Sequence, residues 1–344
     1  MALRQPVPAG LRPACEFTIP SNARSASIDN QKLALPKPNP SKVVTLGDTG
    51  CRLGRGIVQN CNNPDLWPFQ QVAARSAAER PDLIIHVGDY LYRETPCPAG
   101  SEAQCGGTPI GDRWETWNAD FFTPAAKLLA AAPWAFARGN HEDCSRAWRG
   151  WFYYLDPRSI SVCDSYSPPY TIRLGTFTLA MLDSSAVFED RLDEVQVQKF
   201  VTQFATIKQK NAWIAAHHPI WGFKQDQVDR PAVLISVPLE AAWDKQPPQG
   251  IDMVVSGHIH LFELLRFDNG RPTQLVTGNG GTNLVMGIQK SVDGTLAHGA
   301  TVIASGSQSQ FGYTLLTRSG TDWKLVLKNR MGKNLFAYSL HFPK

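Results

Sequence analysis

Short apolar, β-branched runs recur along this chain, and several end in a glycine followed by a polar side chain. Val43-Val44-Thr45-Leu46 runs into Gly47-Asp48, and Leu83-Ile84-Ile85-His86-Val87 runs into Gly88-Asp89. Runs of this kind predict buried strands. Helical periodicity fills the longer stretches between them. Residues 66–79 predict a helix that Arg80-Pro81 ends, residues 114–132 one or two helices broken at Thr123-Pro124, and residues 193–206 an amphipathic helix. Residues 134–137, 212–216 and 252–256 predict further strands, and residues 170–182 a hairpin turning at Gly175. After Leu261 the pattern becomes wholly β, at residues 263–267, 312–318, 323–329 and 334–341.

Alternating β and α elements followed by a run of strands predict an α/β fold of two packed mixed sheets flanked by helices. Residues 1–40 are polar and Pro-rich and read as an arm, and residues 41–344 carry no internal linker and read as one domain. Residues 93–111 form a long loop rich in Gly, Pro and Cys.

Composition narrows the function classes. The chain has 344 residues, 43% of them hydrophobic, with a net charge of +4. That is enough chain for a large core and too little charge for a nucleic-acid partner. No apolar run is long enough for a membrane span, and the N-terminus lacks an apolar signal core. The chain is therefore cytosolic or has lost a signal peptide. The seven cysteines favour the second reading, a secreted or periplasmic protein. Cys51 with Cys61, Cys97 with Cys105, and Cys144 with Cys163 form short-range pairs in loop-like sequence, which suits disulfides made in an oxidising compartment. Cys15 is left over, and no Cys-x-x-Cys pair points to a thiolate metal site.

Asp48, Asp89, Asn140, His217 and His258 each directly follow an apolar run. In α/β sheets, functional side chains gather outside the carboxyl ends of strands. Carboxylates, an amide and imidazoles gathered there are what two neighbouring metal ions need.

Taken in order, Gly47-Asp48-Thr49-Gly50, Gly88-Asp89-Tyr90-Leu91-Tyr92, Gly139-Asn140-His141-Glu142, His217-His218-Pro219 and Gly257-His258-Ile259-His260 resemble the motifs of calcineurin-type metallophosphoesterases. That family usually has Asp-x-His as its first motif. Here the third residue is Gly50, which has no side chain to ligate. The purple acid phosphatase branch also has Asp-x-Gly, and it supplies the missing ligand from Gly-Asp-x-x-Tyr, which this chain matches with Tyr92. Tyr90 is the neighbouring tyrosine, at the wrong spacing. The resemblance covers roughly residues 42–340 and is nearest to compact bacterial members, without the extra N-terminal β-domain of plant-type ones.

The resemblance implies a four-layer fold and two metal sites. Asp48, Tyr92 and His260 would hold the first metal; Asn140, His217 and His258 would hold the second; Asp89 would bridge them. Anionic oxygen ligands suit Fe(III) at the first site, and neutral ligands suit Zn, Fe or Mn as a divalent ion at the second. The implied reaction is hydrolysis of a small phosphate monoester at acidic to neutral pH, with a metal-activated hydroxide attacking phosphorus in line. His141 would face the substrate as phosphate ligand or general acid. Rival readings are a phosphodiesterase on the same frame, a non-catalytic secreted binding protein, and redox chemistry at an iron–tyrosinate centre. Oligomeric state is left open.

Several residues keep two readings. His218 lines the pocket or caps a strand end. Glu142 and Asp143 are acceptors that orient His141 or a metal-bound histidine, or else a solvated turn. Asp183 reads better as a turn residue than as an acceptor behind the site. Asn279-Gly280-Gly281 either brings backbone near the site or forms a plain turn. His86 reads as a satisfied core histidine, and Trp114, Trp117, Trp148 and Trp151 as loop packing rather than a substrate rim. His298 and His341 lie outside every motif.

Overall fold

A computed structural model describes residues 2–158, 160–209, 211–225, 233–234, 236–297 and 299–342. His298 lies outside the described residues. Two large sheets face each other. The six-stranded sheet runs in the order Asn334–Leu340, Asp322–Asn329, Gly312–Ser319, Lys42–Leu46, Leu83–His86, Trp134–Phe136. Its last three strands are mutually parallel. In the eight-stranded sheet, Phe177–Met181, Ala212–Ala215, Ile251–Ser256 and Thr273–Thr277 are parallel neighbours.

Side-chain alternation along these strands builds the layers. Val43, Leu83 and Ile85 point into the space between the sheets, where they meet Leu179, Trp213, Met253, Val255 and Leu275. Val44, Leu46 and Ile84 point the other way, onto Phe69, Val72, Trp117 and Phe121. Ile214, Val254 and Leu265 likewise meet Val197, Phe200, Phe204 and Leu239 on the far side of the second sheet. Helices Phe69–Ala78 and Thr123–Leu129 thus cover one outer face, and Glu194–Thr206 and Val237–Lys245 the other. This is the expected pair of packed mixed sheets with helices outside.

The individual elements differ from the pattern reading in instructive places. Residues 114–129 run without a break at Thr123-Pro124, as a short α-helix, a π-helical turn at Asn118–Phe122, and a second α-helix. Pro124 sits in the first turn of that helix, where the proline costs least. The pattern assigned no bounds to strand Ala300–Gln308 or helix Val237–Lys245. Asp193 caps its helix, accepting from the Gln196 backbone N–H at 2.9 Å. Residues 1–40 contain two short ribbons, Ala2–Leu3 with Cys15–Glu16 and Ala26–Ile28 with Gln31–Leu33. Arg4 pins the first ribbon to the body by donating to the Asp156 carbonyl at 2.7 Å.

Disulfides join Cys51 to Cys61, Cys97 to Cys105 and Cys144 to Cys163, and Cys15 is free and exposed. No helix among the described residues is long and apolar enough to cross a membrane. Trp117 and Trp151 pack on Tyr90 inside the helix-side core, and Trp114 stacks on Phe122.

Asp82 ties the start of the sheet to the chain leaving the arm. It accepts from Ser41 N and Oγ, both at 2.8 Å, and from Lys42 N at 3.1 Å, and it pairs with Lys37 at 2.6 Å. Burial raises its pKa, but Lys37 and these donors outweigh burial and lower it from 3.8 to about 2. The native carboxyl binds a proton less readily than the unfolded one. Its contribution to stability is therefore complete above pH 3.8 and is lost as pH falls through about 2. Denaturant unfolding at neutral pH should show Asp82→Asn destabilised by about 1–3 kcal/mol. The same melts repeated down to about pH 2 should lose part of the wild-type acid slope.

Candidate metal centre

The parallel strands of both sheets end at one edge, and the polar residues that follow them converge there. Asp48 follows Lys42–Leu46, Asp89 follows Leu83–His86, and Asn140 follows Trp134–Phe136. His217 and His258 follow Ala212–Ala215 and Ile251–Ser256 of the other sheet. Asp48, Asp89 and His258 take left-handed backbone conformations, with φ of 55°, 60° and 70°. Sharp turns of this kind let each side chain reach back toward the strand ends.

Two glycines are set by close approach. A Cβ on Gly139 would collide with Asp89 N and Oδ1, so the second and third motif loops touch backbone to backbone. A Cβ on Gly50 would lie 2.7 Å from Tyr90 O and 2.9 Å from Tyr92 N. The residue that leaves the first motif without a third donor is the one that lets Tyr92 in.

Tyr92 Oη lies 2.6 Å from Asp89 Oδ2, 3.1 Å from Asp48 Oδ1 and 2.9 Å from His260 Nε2. His217 Nε2 lies 2.9 Å from Asn140 Oδ1 and 3.2 Å from Asp89 Oδ2. His258 Nδ1 lies 3.2 Å from His217 Nε2 and 3.3 Å from Asn140 Oδ1. The seven side chains therefore form two clusters that share Asp89 Oδ2.

The outer nitrogen of each imidazole faces an acceptor. His217 Nδ1 donates to the Val87 carbonyl at 2.8 Å, and His260 Nδ1 to the Asn283 carbonyl at 2.8 Å. His258 Nε2 lies 3.0 Å from Glu189 Oε1. Carbonyl and carboxylate oxygens only accept, so each outer nitrogen carries the proton. In the neutral ring the inner nitrogens then offer lone pairs to the cluster, the tautomer a metal ligand needs. Tyr92 has one proton for two carboxylates, and two imidazole nitrogens, His217 Nε2 and His258 Nδ1, meet at 3.2 Å. This donor set fits cations. Ligating atoms of Asp48, Asp89 and His217 lie within 4.8 Å of one another, as do those of Glu189, His218 and His258.

The electrostatics agree. Burial, Asp89 and Asp48 push the Tyr92 phenol well above its ordinary value, with Arg52 the opposing influence. Burial would depress His217, but Asp89 and Asp48 outweigh it and lift it to about 9. Without a metal, a proton there offsets the carboxylates.

The remaining candidates separate. His141 is buried, donates its backbone N–H to Asp89 Oδ1 at 2.9 Å, and lies against the Tyr92 ring with centroids 3.8 Å apart. Its Nδ1 is 2.8 Å from Glu94 Oε1. Burial lowers the His141 pKa although Asp89 and Glu94 raise it. Glu142 does not orient His141. It is fully buried and accepts four backbone N–H groups, from Asp89, Tyr90, Leu91 and Gly139, at 2.9–3.1 Å. The carboxylate thus fixes both motif loops, and burial with Asp89 raises its pKa to about 8. Asp143 accepts from Ser145 N and Oγ in a local turn. His218 is buried, and its backbone N–H donates to Ser184 Oγ at 2.9 Å. Asp183 pairs with Arg138 at 3.1 Å, a structural contact. The segment at Asn279-Gly280-Gly281 does approach the site: Gly280 N–H donates to the Gly47 carbonyl and Thr282 N–H to that of Asp48. His86 is enclosed, 3.0 Å from Thr49 Oγ1, with its Nδ1 accepting from Gly88 N. His341 pairs with Asp322 at the surface.

Sequence reasoning missed Glu94, Asp120 and Glu189. Asp120 comes from the π-helical turn and accepts from Tyr92 N at 2.9 Å, Cys51 N at 3.2 Å and Arg93 Nε at 2.5 Å. A π turn at such a brace fits the tendency of these turns to mark functional sites. Only Glu94, two residues beyond Tyr92, carried a sequence signal.

Glu142→Gln tests the loop brace. The amide it introduces keeps one acceptor oxygen but turns an NH2 toward backbone donors. Unfolding of chelator-treated protein should show a loss of about 1–3 kcal/mol. Metal affinity, measured by titration, should fall by about 10- to 100-fold.

Comparison with known proteins agrees with this geometry. The model of the calcineurin-like phosphoesterase family matches residues 41–262. A purple acid phosphatase from yellow lupin (Lupinus luteus) seeds superposes with a TM-score of 0.53 at 14% identity, over 88% of this chain and 54% of that one. The chain therefore spans about half the length of the lupin protein. PhoD superposes with a TM-score of 0.53 at 11% identity, over 90% of this chain and 71% of the other. GAP50, the anchor in the inner membrane complex of Plasmodium, gives a TM-score of 0.50 at 12% identity, over 89% and 90% of the two chains. At such identities the likeness is one of fold. No curated protein sequence matches the chain. With the family model covering more than half of its length, this chain belongs to the calcineurin-like phosphoesterase family.

Proposed function

We propose that this chain hydrolyses small phosphate monoesters at a dinuclear metal centre of the purple acid phosphatase kind. The observation that carries the reading is the set of three imidazoles whose outer nitrogens are held by Val87, Asn283 and Glu189, which turns their inner nitrogens toward Asp89, Tyr92 and Asn140. Asp48, Tyr92 and His260 would hold one ion, Asn140, His217 and His258 would hold the other, and Asp89 would serve both. Two such ions would neutralise phosphate charge and make water acidic enough to supply a nucleophile near neutral pH.

The donor types divide the metals. Asp48 and Tyr92 bring anionic oxygen to the first position, which favours Fe(III). A buried phenol pushed above its ordinary pKa gives up its proton only to a strongly acidifying cation. Asn140 and two imidazoles suit a divalent ion such as Zn, Fe or Mn. The disulfides suit a secreted or periplasmic protein.

The chain's own groups do the rest. The Asp89 carboxylate stays ionised, since His217, His141 and Tyr92 more than offset its burial. His141 is fixed through its backbone by Asp89 and through Nδ1 by Glu94. That leaves Nε2 to bind phosphate or protonate the departing alcohol. Monoesters are the favoured substrates.

The native protein should show a tyrosinate-to-ferric absorption band in the visible that Tyr92→Phe abolishes. A colourless, fully active protein with two divalent ions would rule out the ferric assignment and leave the esterase reading intact. His141→Ala should lower kcat on alkyl phosphates by about 10²- to 10⁴-fold. Aryl phosphates, whose leaving groups need no proton, should lose much less. Faster turnover of diesters than monoesters under the same conditions would overturn the substrate assignment.

A further inference from the structure

We propose that Glu189, His218 and His258 form an outer cation site that takes a third divalent metal ion, of the zinc class, beside the dinuclear centre. The inference rests on the dinuclear reading above, because His258 belongs to both sites.

Ligating atoms of the three residues lie within 4.8 Å of one another, and Glu189 Oε1 is already 3.0 Å from His258 Nε2. Tetrahedral zinc, with bonds of about 2.0–2.1 Å, holds its ligand atoms about 3.4 Å apart. Small side-chain movements therefore close the set. Two imidazoles and a glutamate with one position open are a known zinc donor set.

His218 supplies the independent sign of a missing partner. Its ring is buried, and its Nδ1 lies 3.4 Å from Ser184 Oγ. Its Nε2 is enclosed and has no hydrogen-bond partner among the described residues. A buried polar atom left in this way calls for an occupant. The His218 and His258 rings lie side by side at a tilt, with centroids 4.1 Å apart and planes at 36°. The Glu189 side chain is 46% exposed, so an ion has a path in from solvent.

His258 links the two sites. Its Nδ1 faces Asn140 and His217, and its Nε2 faces Glu189. An ion at Nε2 displaces the proton there to solvent and leaves an imidazolate between the inner and outer positions. Losing that proton costs affinity, and the Lys224 charge acts on Glu189 as well. The outer site is therefore weaker than the inner pair. When it holds no ion, Glu189 accepts the Nε2 proton and orients His258.

The test uses the full chain, stripped by a chelator, given one equivalent of Fe(III) and then titrated with Zn(II), with all metal equivalents counted together. Calorimetry in buffers of different ionisation enthalpy reads the protons released, and elemental analysis reads the stoichiometry. Two tight equivalents should be followed by a weaker third that releases a proton. Glu189→Gln still accepts the His258 proton but loses the anionic ligand. It should weaken the third step by about 10- to 100-fold or more, while two tighter equivalents are still counted before it. His218→Ala should do the same, and the exposed Glu189→Gln decides the question if His218→Ala does not fold. A wild-type titration that stops at two equivalents overturns the outer site, as does a third equivalent unchanged in both variants. A chain that binds no tight pair overturns the dinuclear reading instead. Sensitivity of any remaining equivalent to Glu189→Gln then still decides the outer site.

Discussion

Asp89 Oδ2 lies 2.6 Å from Tyr92 Oη and 3.2 Å from His217 Nε2, which puts one buried anionic atom in both halves of the site. Asp48 is equally buried, and its ligating atom lies within 4.8 Å of that of Asp89. At an effective dielectric of about 20, two unit charges so close repel by about 3–4 kcal/mol. Desolvation adds to that cost. A fold that gathers these groups holds an arrangement that favours positive charge between them. With no metal, a proton on His217 and one on Tyr92 are what the site has to offset its carboxylates.

Holding such groups in register falls to the backbone. Asp48, Asp89 and His258 occupy left-handed conformations that cost of order 1–3 kcal/mol each at residues other than glycine. The large sheets behind them absorb that strain. Glu142 and Asp120 work at closer range, each accepting backbone N–H groups of the motif loops. Neither touches a prospective ion, yet both set where Asp89 and Tyr92 point. His141 enters by the same route, since its backbone N–H is committed to Asp89 before its side chain does anything.

The polar contacts around the site also decide what each imidazole offers. Val87 and Asn283 present carbonyls, whereas Glu189 presents a carboxylate on a half-exposed loop residue. The first two fix a tautomer and stop there. The third places a negative charge at the mouth of the site, beside the unpartnered Nε2 of His218, and so makes the second-metal side chemically richer than the first.

The layered fold could be read from the chain because it follows from short-range periodicity. The alternation through Val43, Val44 and Thr45 assigns each side chain to one face of a strand, whichever strand becomes its neighbour. The motif residues were legible for the same reason: Asp48, Asp89, Asn140, His217 and His258 each follow an apolar run. Gly50 and Tyr92 could be paired because one lacks the donor that the other has. The continuous helix through Thr123-Pro124 and the strand at residues 300–308 were not legible, because packing against neighbouring layers outweighed local preference there. Glu142, adjacent to His141 in sequence, turns away from it to bind loops some fifty residues earlier. Glu189 reaches His258 across 69 residues of chain, and Asp120 reaches Tyr92 across 28. Sequence by itself determined which donors exist and that they sit at strand ends. Only tertiary structure decided which acceptor stands behind each donor, because those partners meet through sheet order and loop packing, which no local pattern encodes.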